Sequence, residues 1–140
     1  MKNLSLIMLA LALLIVGSAA IGAEPPIRLT KIHVINAFAN AMTEGRLEGI
    51  NDALDQDAQF SWLAGKKLMT FNKSQMMKYF NANNGVEQDC RTSVSVIDNN
   101  SAVTVVKFDM KYSDHIRSNY ITLVNTGEGW KITNVYSVFK

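Results

Sequence analysis

Hydrophobic positions recur at helical spacing in the first half of the chain beyond residue 26. Thr30 carries a side chain suited to an N-cap, and Gly45 is suited to end the same helix in a left-handed C-cap conformation. Between them lies an apolar stripe with intervals of three and four residues, made up of Ile32, Ile35, Phe38, Ala39 and Met42. The pattern therefore predicts a helix that begins after Thr30 and ends at Gly45.

Two shorter helices are predicted further along the chain. The first rests on apolar residues that again recur at intervals of three and four, namely Leu47, Ile50 and Leu54. The second begins at Asn72, because Gln75 follows three residues later and the two together form the pattern of a capping box. The sequence Asn83-Asn84-Gly85 is typical of the end of that helix.

The spacing of hydrophobic positions changes to two after Gly85. Strands are predicted over residues 91–97, 102–112 and 116–125, and a last strand begins at Trp130. The short links between these strands require antiparallel pairing. One earlier strand is predicted over residues 59–62. Helices in the first half and a strand meander in the second predict an α+β fold, with helices on one face of a curved antiparallel sheet.

Residues 1–23 have the pattern of a secretory signal peptide. Lys2 is followed by an apolar run over residues 4–16 and by small residues over 17–23, with cleavage expected after Ala20 or Ala23. The alternative is an uncleaved membrane anchor, since the apolar span approaches the ~20 residues that cross a bilayer. The Gly, Ser and Ala content favours cleavage. We therefore expect a periplasmic or extracellular protein in which residues 24–140 form one domain.

Charge and composition argue against several classes of function. The formal net charge is +2 with both signs interspersed, and no basic stripe is present, so we expect no nucleic-acid partner and no membrane association after cleavage. Cys90 is the single cysteine, which rules out an intrachain disulfide and a thiolate-rich zinc site. Two isolated histidines and scattered acids do not have metal-ligand spacing. No phosphate-binding loop occurs, and we expect neither a metal nor a cofactor.

Three segments carry a resemblance to a known family. They are Ala41-Met42-Thr43-Glu44-Gly45-Arg46-Leu47-Glu48-Gly49, Asp57-Ala58-Gln59-Phe60-Ser61-Trp62 and Gly129-Trp130-Lys131-Ile132. In this order they resemble the nuclear transport factor two-like superfamily over nearly the whole chain beyond residue 23. Within the superfamily the chain is most similar to small bacterial proteins described as SnoaL-like or "putative lumazine-binding".

The resemblance implies a cone-shaped fold. A curved antiparallel sheet would surround a pocket, with about three helices from the N-terminal half packed on its concave face, and a homodimer would form through the convex face. Some members are isomerases, cyclases, dehydratases or hydrolases, whereas others bind ligands or partner proteins without chemistry. The fold alone therefore does not decide the activity.

The ketosteroid isomerase chemistry of this superfamily does not fit the sequence. Trp62 stands where those enzymes have a general-base aspartate, and an indole cannot accept the substrate proton. Phe38 stands where they have an oxyanion-donating tyrosine, and it has no hydroxyl. Their protonated aspartate would fall within residues 119–122, which contain no acid. Three positions depart from the pattern together.

Other acid–base residues are weak catalytic candidates. Asp57 has the position of a turn or capping residue. His115 follows Asp114 in a predicted turn, where water is poorly excluded. Tyr120 lies on a predicted strand. Asp109 alternates with Lys107 and Lys111 on a strand face that we expect to be solvated, with Asp109 as a cross-strand charge partner.

Two functional hypotheses remain at this point. The first is an exported, non-catalytic domain that binds a small apolar or aromatic ligand, or a partner protein, with the pocket candidates Phe38, Trp62, Tyr79, Phe108 and Tyr120. The second is a cyclase-, dehydratase- or hydrolase-type enzyme acting on a small apolar substrate through Asp57, Tyr79, His115 and Tyr120. The enzyme hypothesis requires at least two of its residues to converge on one enclosed void.

Overall fold

The computed structural model describes residues 29–140, and the predicted signal peptide lies outside them. In chain order the elements are α1 (Lys31–Glu44), α2 (Ile50–Ala53), β1 (Leu54–Ala64), β2 (Lys67–Asn72), α3 (Lys73–Ala82), β3 (Arg91–Asn99), β4 (Val103–Lys111), β5 (Ile116–Thr126) and β6 (Gly129–Phe139). Over the described range, none of the helices combines the length and the apolar character that a bilayer crossing needs.

The helix ends follow the predicted capping residues. The Thr30 side chain accepts a hydrogen bond from the His33 amide at the start of α1, a contact that stabilises a helix by about 1 kcal/mol. Asn72 and Gln75 form a reciprocal capping box at the start of α3. The helix α2 is shorter than its apolar pattern predicts, because Leu54 already begins β1.

Gly45 ends α1 in a left-handed conformation, with a φ of 64°. A Cβ at this position would lie 2.5 Å from the Asn83 carbonyl oxygen and 2.6 Å from the Gly85 amide nitrogen. The Gly45 carbonyl also accepts a hydrogen bond from the Gly85 amide at 2.9 Å. Glycine is therefore required here both for its φ and for the close approach of the chain that follows α3.

The six strands form one mixed sheet in the order β2-β1-β6-β5-β4-β3. Neighbouring strands are antiparallel except for β1 and β6, which are parallel. The α+β fold with helices on a curved sheet is confirmed, with one parallel pair in a sheet expected to be antiparallel throughout. The short-link argument applies only to strands that follow each other directly, and β1 and β6 are far apart in the chain.

The hydrophobic core lies between the helices and the concave face of the sheet. The apolar face of β4 is buried there through Val106, Phe108 and Met110, and α1 contributes Phe38. Lys107 and Asp109 lie on the opposite, convex face, but they are only partly exposed there, and Asp109 Oδ1 is buried without a hydrogen-bond partner in the described range. Asp109, however, is paired with Lys107 on its own strand, with 3.6 Å between Nζ and Oδ2, instead of with a charge on a neighbouring strand.

Candidate functional site

Three successive rows of side chains on the concave face of the sheet lead towards the start of β5, and their character changes from row to row. Strand register places Val106, Ile121, Val135 and Phe60 in an apolar row across β4, β5, β6 and β1. The next row contains Phe108, Asn119, Ser137 and Trp62. The third contains Met110, Arg117, Phe139 and Ala64. Polar and aromatic groups thus collect towards one end of the concave face.

We call this end the Arg117 site, defined by Trp62, Tyr79, Arg117, Asn119, Ser137 and Phe139. Arg117 is only 5% exposed although it lies near the first residue of β5. Its guanidinium carbon is 4.8 Å from the ring centroid of Trp62 and 4.9 Å from that of Phe139. Contacts of a desolvated cation with aromatic rings contribute about 2 kcal/mol, so the two rings stabilise the buried charge.

Asn119 fixes the position of the guanidinium. Its amide nitrogen donates to the Phe108 carbonyl oxygen at 3.0 Å, which orients the side-chain oxygen towards Arg117. That oxygen accepts from Arg117 Nε at 3.2 Å and from Ser137 Oγ at 2.6 Å. Asn119 and Ser137 have no exposed surface. A fully buried network therefore holds one edge of the guanidinium in place.

The other edge of the guanidinium is unsatisfied. Arg117 Nη2 is buried and makes no hydrogen bond of normal geometry within residues 29–140, although the nearby Tyr79 hydroxyl supports the guanidinium charge as a weak acceptor. In the same range the ion pairs found do not include Arg117; they are Arg46 with Glu44, Lys107 with Asp109, and His115 with Asp114. A buried cation without a counter-ion is costly, by several kcal/mol for the desolvation of each ion.

Burial also changes the acid–base properties of this end of the sheet. Desolvation lowers the pKa of Arg117, and the neighbouring Tyr79 and Tyr112 oppose that change. Burial likewise raises the pKa of Tyr112, whose hydroxyl donates to Gln88 Oε1 at 2.9 Å. The pKa of Cys90 is raised by burial and by the charge of Asp89. The groups around Arg117 thus favour their uncharged forms.

Aromatic rings form the wall of the Arg117 site. The centroid of Trp62 is 4.8 Å from Phe71, 5.2 Å from Tyr79 and 6.1 Å from Phe139. Each of these four side chains is only partly buried, unlike the aromatic rings of the core. The helix α3 supplies Tyr79, and strands β1, β2 and β6 supply the others. The wall offers accessible aromatic surface beside a buried cation, which suits a planar ligand.

The structure separates the five predicted pocket residues into three groups. Trp62 and Tyr79 lie side by side in the Arg117 site. Phe38 and Phe108 pack edge to face at 6.3 Å between centroids, and both are buried in the core. Tyr120 lies on the convex face, where its ring is 5.9 Å from Lys107 Nζ.

The weak catalytic candidates are not brought together. Asp57 is exposed in the irregular part of β1, before Gln59, which pairs with Asn134 in the middle of β6. His115 lies in the turn before β5, beside the opposite end of β6, and its ring stacks on Tyr112 at 4.4 Å. Its Nδ1 contacts Asp114 Oδ1 at 2.7 Å. With Tyr120 on the convex face, these residues do not share one cavity.

Asp57 lines a polar surface hollow of about 460 Å³ beside α2. Two lysines of this hollow donate to backbone carbonyl oxygens: Lys73 to Leu54 at 3.0 Å, and Lys131 to Asp52. Lysines that bond the last carbonyl groups of a short helix act as C-caps. The two lysines of this hollow therefore stabilise the backbone at the end of α2. Within the described residues, no group of His, Cys, Asp and Glu side chains could hold a metal ion.

Sequence reasoning missed Arg117, Asn119, Ser137 and Phe139. A signal for the first two is present in the alternation of β5, because Arg117 and Asn119 occupy the same phase as the buried Ile121 and Leu123. Polar residues in the buried phase of a strand need partners and often mark a functional site. The alternation of apolar and polar residues in β6 does not indicate which of its two sets of side chains faces the helices. The structure places Val135, Ser137 and Phe139 on the concave face.

Comparisons with known proteins agree with the fold. A family model described as "Putative lumazine-binding" matches residues 31–137. No curated protein matches the sequence. Among solved structures, an NTF2-like protein of unknown function from Silicibacter pomeroyi has a TM-score of 0.65 at 12% identity, covering 78% of this chain and 92% of that chain.

Two further structures are similar at comparable coverage. An NTF2-like protein of unknown function from Methylobacillus flagellatus has a TM-score of 0.61 at 19% identity, covering 78% of this chain and 88% of its own. A protein from Parabacteroides distasonis described as a "putative ketosteroid isomerase" has a TM-score of 0.52 at 14% identity, covering 77% and 86%. At these identities the likeness shows the fold alone.

Proposed function

We propose that this chain, which belongs to the family described as "Putative lumazine-binding" and has the NTF2-like fold, is a non-catalytic protein that binds a small planar ligand in the Arg117 site. The observation that carries the proposal is the wall of partly buried rings formed by Trp62, Phe71, Tyr79 and Phe139. Accessible aromatic surface on a concave face, next to a few fixed polar groups, is the usual composition of a small-molecule site.

The positions of the acid–base residues relative to the aromatic wall support a non-catalytic role. Trp62 stands where the isomerases have their general base, residues 119–122 contain no acid, and Phe38 is closed into the core. Asp57, His115 and Tyr120 lie on separate parts of the surface of the fold. A proton-transfer reaction needs a base within hydrogen-bond reach of its substrate, and of the four enzyme candidates Tyr79 alone lies beside Trp62.

Export and self-association complete the proposal. Residues 1–23 have the signal-peptide pattern, so the binding domain would act in the periplasm or outside the cell. A homodimer would use the convex face, where Tyr136 is 36% exposed beside Tyr120. Size-exclusion chromatography of the exported protein tests the association, and an elution volume of a monomer at all concentrations would contradict it.

The binding proposal is tested on exported protein by thermal shift and native mass spectrometry. A planar aromatic probe such as 2-naphthamide should raise the melting temperature, since a ligand at 100 times its Kd stabilises by about 2.7 kcal/mol. Trp62→Ala should reduce the affinity for the probe by more than about tenfold, because it removes the ring that contacts Phe71, Tyr79 and Phe139.

The matched control is Trp130→Phe. Trp130 is the second tryptophan of the chain, and its ring lies 4.3 Å below Lys31 Nζ, next to Leu29 and away from the Arg117 site. This variant should bind the probe as wild type does. Equal loss of binding in both variants, or no shift with any planar aromatic compound, would refute the proposal.

A further inference from the structure

Arg117 has one donor group that the fold holds in place but does not use. The Nε edge of the guanidinium is bonded to Asn119, which is itself fixed by Phe108 and Ser137. The Nη2 group is buried and makes no hydrogen bond of normal geometry within residues 29–140, and the nearby Tyr79 hydroxyl supports the guanidinium only as a weak acceptor. A buried donor without an acceptor is unfavourable, and few are left in native proteins without a functional reason.

No carboxylate within residues 29–140 forms an ion pair with Arg117. The titratable groups that act on its charge, Tyr79 and Tyr112, are neutral when protonated. Trp62 and Phe139 stabilise the cation by their rings without offering a hydrogen-bond acceptor. An anionic oxygen placed at Nη2 would complete both the charge balance and the hydrogen bonding of this side chain.

We infer that the Arg117 site takes a planar aromatic ligand that carries an anionic oxygen, such as a carboxylate, at the edge of its ring system. This inference rests on the proposed function and adds the charge class of the ligand. The aromatic body would lie along Trp62 and Tyr79, and the anionic oxygen would accept from Arg117 Nη2. The fixed guanidinium would give the site its preference for an anion over a neutral compound of the same shape.

The alternative is a purely structural guanidinium that holds β5 against β6 and β1. The two possibilities differ in their effect on the unliganded protein. A cation kept for binding is a cost to the fold, so replacing it with methionine should leave stability unchanged or raise it. A structural cation would give the opposite result, because its removal would take from Asn119 Oδ1 the donor Arg117 Nε and leave it only the Ser137 hydroxyl.

The test compares two probes of nearly the same shape, 2-naphthoate and 2-naphthamide. Binding is followed by the fluorescence of Trp62 in the Trp130→Phe background, in which Trp62 is the one remaining tryptophan. The exported protein should bind the carboxylate about tenfold or more tightly than the amide. Arg117→Met should lower the affinity for 2-naphthoate by about 10- to 100-fold, as expected for the loss of a charged hydrogen bond. The affinity for 2-naphthamide should change by less than about threefold.

Two further measurements make the result decisive. Arg117→Lys keeps the positive charge but loses the planar donor geometry of the guanidinium. Its affinity for 2-naphthoate should therefore lie between those of wild type and Arg117→Met. The melting temperature of Arg117→Met without ligand should equal or exceed that of wild type. If Arg117→Met melts well below wild type or does not fold, Arg117 has a structural role and the inference is overturned.

The outcomes separate this inference from the proposed function. Equal affinity for both probes in wild type, or an unchanged carboxylate affinity in Arg117→Met, would overturn the anionic class while leaving an aromatic site in place. Failure of both probes, and of every other planar aromatic compound, to bind wild type would refute the site itself, and the inference would fall with it.

Discussion

The two ends of the concave face are built by the same strands in the same alternation, yet they have opposite character. On β5, Ile121 and Leu123 at one end are apolar and fully buried, whereas Arg117 and Asn119 at the other end are polar and also buried. Phe38 packs against Phe108, which forms the inner limit of the first end and stands directly opposite Asn119. At the second end the aromatic rings stay partly accessible around a cation.

The difference indicates that one end of the sheet stabilises the fold and the other end reduces its stability. Burial of apolar area contributes about 25 cal/mol per Å², so the Phe108 end supplies stability. The Arg117 end carries a desolvated charge and an unused donor, which reduce stability. Sites that bind ligands commonly carry such a cost, and the well-packed end of the same strands compensates for it.

The largest expected effect comes from opening the packed end. Phe108→Ala should lower the free energy of unfolding by about 3–5 kcal/mol, because it leaves a cavity against Phe38. The matched control is Val94→Ala on β3, which is the cross-strand partner of Phe108 but is 51% exposed, and it should change stability by less than about 0.5 kcal/mol. Urea denaturation measures both. Similar costs for the two variants would break the comparison.

The boundary between the two ends should be the next most sensitive position. Asn119→Leu removes the partner of Arg117 Nε and of Ser137 Oγ, and leaves the Phe108 carbonyl without its donor. We expect a loss of about 2–4 kcal/mol, since each buried group left unsatisfied costs about 1–3 kcal/mol. Ser137→Ala removes a single hydrogen bond and should cost about 1 kcal/mol. A neutral Asn119→Leu in urea denaturation would show that the network does not hold the guanidinium.

The smallest effect concerns alkaline pH and should arise only at the Arg117 end. The pKa values of Tyr112 and Cys90 are raised above their ordinary values of 10.0 and 9.0, mainly by burial. A raised pKa means that the folded state holds the proton more tightly, so this stability is present below the ordinary pKa and is lost as pH rises through the raised one.

Thermal melts from about pH 8 to pH 11 should therefore show a falling melting temperature, and the fall should be smaller in Tyr112→Phe. Tyr120→Phe on the convex face is the control, and it should follow wild type. An identical fall in melting temperature at alkaline pH in wild type and in Tyr112→Phe would show that other groups cause the pH dependence.

Local patterns predicted most of the fold. Thr30, Gly45 and the Asn72–Gln75 capping box act within a few residues of themselves, so their effects could be read directly from the sequence. The strand β2 was not predicted, because its residues between the Gly65 turn and Asn72 are almost all exposed and show no clear alternation. The parallel pairing of β1 with β6 depends on tertiary packing, which no turn sequence specifies.

The site was only partly predictable for the same reason. Trp62 and Tyr79 could be named from their residue type, but nothing local indicates that they meet. Arg117 lies one row away from Trp62, and the two meet because β6, with Ser137 opposite Trp62, is the strand between β5 and β1. The register of three strands therefore creates the site, and only the phase of Arg117 and Asn119 within β5 pointed to it in advance.

The contact between Gly129 and Leu29 fixes one end of β6. A Cβ on Gly129 would lie 2.7 Å from the Leu29 amide nitrogen, and the Trp130 amide donates to the Leu29 carbonyl at 2.9 Å, so Leu29 is held at the start of β6. Phe139 of the Arg117 site lies at the other end of that strand, about 30 Å away at the usual rise per residue. The anchor point of Leu29 and the Arg117 site are therefore separated by the full length of one strand.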